Sequence, residues 1–133
     1  MNWKLIFQLS LFGLAMAIAT VFWISSTIEP VFWLIIFGIC AYIIAKKCSK
    51  NYFFTGFFVS LVNCIWITSA HIIFFATYIH HHPQEAVMMS KMPMVGSPRL
   101  MMLLTGTVVG IISGVILGLF ALVASRIVRK VQK

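Results

Sequence analysis

The sequence predicts an all-α integral membrane protein: four transmembrane helices in an up-down-up-down bundle, with a short interfacial helix in the extracytoplasmic loop between the third and the fourth. Three observations carry this expectation. Of the 133 residues, 62% are hydrophobic and 9% charged, too few polar groups to clothe a soluble fold. Four apolar runs approach the length of about 20 residues that crosses a bilayer. Eight of the ten Lys and Arg residues fall on one side of those runs, as they do where short loops are cytoplasmic.

The runs cover residues 5–24, 30–45, 52–79 and 98–123, within a single domain of residues 1–133. The first follows Lys4 and carries "AIA" at Ala17 to Ala19, which imitates a signal-peptidase site. Its apolar run continues through Val21, Phe22 and Trp23, so a signal anchor fits better than a cleaved leader. The second begins at Pro30 and is closed by Lys46, and is short enough to borrow interfacial residues or to thin the bilayer. The links "SSTIEP" and "KKCSKN" are short, which predicts antiparallel neighbours. Residues 80–99 form the one long link, "HHHPQEAVMMSKMPMVGSPR". Within it Pro83 suits a first helical position, Glu85 favours the N-terminal dipole and Pro93 ends the run, placing Glu85, Met88, Met89 and Met92 on one face. Ser97 and Pro98 then read as the cap and first residue of the fourth helix.

Charge sets the expected orientation. Lys4, Lys46, Lys47, Lys50, Arg126, Arg129, Lys130 and Lys133 share one side, opposite Lys91, Arg99 and the two acids of the chain, Glu29 and Glu85. Both termini are therefore expected in the cytoplasm of a bacterial cell, with the chain in the inner membrane. The net charge of +8 then serves topology and attraction to anionic lipid, and does not point to nucleic acid. Cys40 and Cys64 fall inside helices and Cys48 in a loop, with no CxxC, so neither a disulfide framework nor a zinc ribbon is expected.

The fourth helix contains "GTVVGIISGVILG", with Gly106, Gly110, Gly114 and Gly118 at every fourth position and Ser113 alongside. Each glycine costs about 1 kcal/mol of helix propensity. Close helix packing in lipid offsets that cost, because small residues let backbones approach. The run resembles the glycine zippers of oligomeric membrane channels and pores, a resemblance confined to this helix that implies close packing. Its partner is either the first helix, whose Ser10, Gly13 and Ala17 form a small-residue face, or a second copy of the chain. The surface left unburied by four short helices favours a homodimer.

On the third helix Gly56, Ser60, Asn63, Cys64, Thr68, His71 and Tyr78 share one side, opposite Phe58, Val62, Ile65 and Ile73. Thr55 and Ser69 break the pattern. An intramembrane histidine takes a proton, ligates a metal or lines a hydrated cavity, which makes His71 a candidate for a small-solute or ion pathway. The plainer account of the stripe is interhelical hydrogen bonding. No span interior holds Asp, Glu, Lys or Arg, so a carboxylate-driven antiporter is disfavoured and the small multidrug-resistance pattern, with its glutamate in helix 1, does not match.

In the long link, His80, His81 and His82 beside Met88, Met89, Met92 and Met94 suggest Cu(I), since thioethers and imidazoles suit it. Three adjacent histidines do not all face one ion on a helix, and the plainer account is an interfacial segment. Nothing groups a nucleophile with a base and an orienting residue, so no enzymatic activity is expected. The chain as a whole resembles small four-helix bacterial inner-membrane proteins. The leading expectation is a non-enzymatic component of small-solute or ion transport. The alternatives are a copper-binding or sensing accessory protein and a structural subunit contacting another membrane protein.

Overall fold

A computed structural model of the chain describes residues 1–91 and 97–131. Among these residues the structure is entirely helical: α1 (Trp3–Phe22), α2 (Glu29–Lys47), α3 (Tyr52–Ile73), α4 (Phe75–His81), α5 (Pro83–Ser90) and α6 (Pro98–Val131). Four of these, α1, α2, α3 and α6, are long and apolar enough to cross a membrane. They pack as a helical bundle with a core drawn from all four, including Ile6, Ile44, Val59 and Leu117. Many large apolar side chains point outward, from Phe7 on α1 to Ile127 on α6, as suits helices whose solvent is lipid.

Each terminus has a local cause. The Asn2 side chain caps α1 by accepting the Leu5 amide. Pro30 lies in the first turn of α2 beside Glu29, and Lys46 and Lys47 close that helix, so α2 runs two residues beyond the expected 45. Asn51 turns the chain into α3 with φ at 58°, a left-handed conformation that asparagine tolerates. Residues 52–79, expected as one helix, divide at Phe74, whose ψ of 34° departs from helical values. The break redirects α4 while the Phe74 amide still reaches the Ala70 carbonyl. In α6 no breaker follows residue 123, and the helix continues through Arg126 and Arg129, about 51 Å in all.

The central contact is between α3 and α6. A Cβ on Gly118 would lie 2.7 Å from the Phe53 ring and 2.9 Å from the Phe53 carbonyl oxygen. Gly114 meets Phe57, Gly110 meets Cys64 and Gly106 meets Thr68. Numbers fall along α6 as they rise along α3, so the two helices run antiparallel. From the other side, a Cβ on Gly56 would sit 2.8 Å from the Leu117 carbonyl oxygen, at the closest approach of the two backbones. The glycine stripe therefore meets α3 of its own chain, rather than the small-residue face of α1. It receives side chains of α3 along most of its length, unlike a seam of glycine against glycine, and Ser113 is half-buried beside it.

The short links do not make the helices they join into principal neighbours. α1 packs mainly on α3 and α2 on α6, whereas α1 and α2 share few contacts. Along the α1–α3 seam Trp3 meets Phe58, Phe7 meets Trp66 and Phe22 meets Phe74, so these helices run parallel. A short link brings helix ends together without dictating which faces close. The glycine seam decides that here.

One chemical change should act in opposite directions at two glycines. Gly118→Ala places a methyl against backbone and is expected to lower the thermal midpoint in detergent, at a cost of about 1–3 kcal/mol. Gly38→Ala has nothing within 4 Å of the new carbon and should hold or raise the midpoint by up to about 1 kcal/mol through helix propensity. A circular-dichroism melt of both variants checks the sign.

Candidate functional site

The polar stripe of α3 is divided between two seams. On the α6 side, the Cys64 thiol donates to the Gly106 carbonyl at 2.8 Å, with the Thr68 hydroxyl 3.7 Å from its sulfur. Glycine at 106 and 110 is what admits these two side chains. On the α1 side, the Trp66 indole donates to the Ser10 hydroxyl at 3.3 Å, and that hydroxyl donates to the Phe7 carbonyl. The Thr20 hydroxyl donates to the Ala17 carbonyl at 3.0 Å and is left to accept from His71 Nε2 at 3.2 Å, which places a proton on that nitrogen. Ser60 is buried. Asn63 is only 2% exposed and packs against Gly13, yet neither of its amide atoms has a hydrogen-bond partner.

Beyond Phe74 the stripe leads into a cluster that involves five of the six helices. The His71 and Tyr78 rings stack at 4.0 Å, and Tyr78 and His82 stack at 4.3 Å. This three-ring pile joins α3 to the α4–α5 junction. The Tyr78 hydroxyl donates to the Glu85 carboxylate on α5. Burial, and then that carboxylate, push the Tyr78 phenol above its usual range, so it remains a donor. From α2, Glu29 Oε2 lies 3.9 Å from His82 Nε2, while Glu29 Oε1 accepts from the Trp33 indole at 3.2 Å. α1 contributes Thr20 through His71.

His82 is the residue that the sequence pattern misplaces. It is fully buried, and its Nδ1 lies 2.9 Å from the Tyr78 carbonyl. Its Nε2 has no hydrogen-bond partner, because 3.9 Å from Glu29 is beyond bonding distance. His80 and His81 are exposed and meet edge to face at 5.3 Å, so the three consecutive histidines do not converge. Met88 is exposed and Met89 packs beside Val21, Tyr78 and Met102. Met92 and Met94 lie outside the described residues. Among the described residues no three His, Cys, Asp or Glu are grouped to hold a metal ion.

The cluster sets a buried imidazole opposite a carboxylate, framed by aromatic rings. Its members were visible in sequence only as separate features: the two acids as topology markers, His82 as one of a run, Tyr78 as the last residue of a helical stripe. The period-3.6 pattern gave no sign of a break at Phe74, and His71, Tyr78 and His82 still stack in sequence across it.

Asn63 provides a test of whether the α3 stripe acts as interhelical glue. Leucine nearly matches its shape and removes two unpartnered polar groups, so Asn63→Leu is expected to stabilise the protein by about 1–2 kcal/mol. A lower thermal midpoint than wild type would show that the amide is held by a partner.

No protein-family model, curated protein or solved structure matches this chain, so the cluster itself is the guide to activity.

Proposed function

We propose that the protein is a non-enzymatic, multi-pass component of a bacterial inner membrane with both termini in the cytoplasm, and that it takes part in proton-dependent ion movement through the Glu29–His82 cluster. The observation that carries this reading is the buried His82 Nε2, without a hydrogen-bond partner, facing one of the two carboxylates of the chain. A proton on that nitrogen turns a 3.9 Å gap into an ion pair between α2 and the α4–α5 junction. Without the proton the two segments are joined there by no hydrogen bond. This nitrogen, with its one open position facing a carboxylate, is suited to accept a proton.

The charge asymmetry supports the orientation. It assigns the basic end to the cytoplasm and the cluster to the extracytoplasmic face. In this reading α5, with Pro83 in its first turn and Glu85 beside it, is the interfacial helix of that face. Of the helix 3 residues expected to line a pathway, Cys64 and His71 spend their polar atoms on neighbouring helices and Thr68 pairs with Cys64 of its own helix. The active groups are therefore placed at the end of the bundle.

In proteoliposomes given an acid pulse, wild type should pass protons, and His82→Gln and Glu29→Gln should each largely abolish that flux while keeping the helical spectrum. Trp33, bonded to Glu29, supplies a second readout: acidification should change the indole fluorescence of wild type and leave His82→Gln unchanged. Equal, pH-independent signals from wild type and both variants would overturn the proposal.

A further inference from the structure

The opposite end of the bundle presents a different chemistry. Lys46, Lys47 and Lys50 sit at the α2–α3 link, and Arg126, Arg129 and Lys130 at the end of α6. Among the described residues, no Lys or Arg forms a salt bridge. The acids that might neutralise them, Glu29 and Glu85, belong to the cluster at the far end. Charge of one sign is thus concentrated where these long helices end, with no acidic side chain beside it among the described residues.

A cavity of about 420 Å³ opens into this region, lined by Asn2, Trp3, Lys47, Ser49, Lys50 and Asn51. One lining residue is held from outside. Arg129 Nη2 donates to the Ser49 carbonyl and to the Tyr52 hydroxyl, both at 2.8 Å, and the guanidinium lies over the Tyr52 ring. The link that carries Lys47 and Lys50 is thereby tied to α6. The Ser49, Asn51 and Asn2 side chains add hydrogen-bonding groups beside the two ammonium groups. Trp3 is 59% exposed at the rim, an indole placed where aromatic belts meet headgroups.

We propose that this cavity binds the phosphate of an anionic phospholipid headgroup. Two ammonium groups with adjacent hydroxyl and amide donors suit a phosphate diester, and a basic pocket between helix ends is within reach of the lipid that surrounds it. The exposed Trp3 and the apolar flanks of α1 and α2 leave room for acyl chains against the protein, which a soluble anion does not need. This site lies at the other end of the bundle from the Glu29–His82 cluster and is independent of the proton reading.

Native mass spectrometry of the detergent-purified full chain tests the site. Wild type should retain phosphatidylglycerol in preference to phosphatidylcholine. Lys47→Ala combined with Lys50→Ala should lower that retention by about thirtyfold, the loss expected for two lysines at a membrane surface. The charge-matched pair Arg126→Ala with Lys130→Ala, which does not line the cavity, should keep most of it. Equal retention of the zwitterionic lipid by wild type, or equal loss in both pairs, would overturn the site. If the alanine pair fails to fold, Lys47→Gln with Lys50→Gln and the headgroup preference of wild type still decide. Excess inorganic phosphate should leave the lipid bound; its displacement by phosphate alone would assign the cavity to a soluble anion and overturn the lipid reading.

Discussion

The close approach of the α3 and α6 backbones is the constraint on which the remaining structure depends. In lipid there is no gain from hiding leucine from water, so helix association rests on packing and on buried hydrogen bonds. Glycine at 56 and 118 allows one backbone to meet the other, with carbonyl oxygens 2.8–2.9 Å from where a Cβ would stand. At 106, 110 and 114 the missing side chain becomes space for Thr68, Cys64 and Phe57. The five glycines thus serve two purposes: backbone contact near one end, and accommodation of α3 side chains towards the other. The propensity they forfeit is offset by contacts that alanine would forbid.

With α3 held against α6, the other helices find their places by what remains. α1 takes the second flank of α3, where Gly13 accommodates Asn63, and Ser10 and Thr20 accept the polar atoms of Trp66 and His71. Both hydroxyls also donate to carbonyls of their own helix, so the seam is polar without leaving those groups unpaired. α2 lies on α6, chiefly through apolar contacts such as Phe37 against Phe120. The helices joined by the two short links are consequently not the closest pairs, which loop length alone would not reveal.

The sequence made the membrane class, the four long helices and the small-residue stripe legible, because each is a property of composition or of a regular period. Helix ends were legible where a chemical signal marked them, as with Pro83, and overrun where none did, as in α6 beyond residue 123. The partner of the glycine stripe was not legible: Gly13 with Ser10 and Ala17 offers the same signature as the true partner, and shape complementarity does not appear in a one-dimensional pattern. The candidate site was less legible still. Glu29, Tyr78, His82 and Glu85 lie near the ends of separate elements, and the meeting of Glu29 with His82 depends on how α2 packs, which no local pattern records. Three consecutive histidines read as one metal-binding feature, yet one turns inward and two outward.

The position of α2 bears on the Glu29–His82 pair. α2 touches α1 and α3 little and rests on α6, so Glu29, in its first turn, meets the α4–α5 junction from a helix held chiefly by one neighbour. Glu29 and Trp33 lie at that end, bonded to each other and facing the buried imidazole. His82 in turn is fixed from behind by the stack with Tyr78 and by the Tyr78 carbonyl. His82 is thereby held to the α4–α5 junction on one side and faces the carboxylate of α2 on the other. The contacts that fix the bundle, at the α3–α6 glycines, and the pair that brings α2 to the α4–α5 junction thus involve different residues.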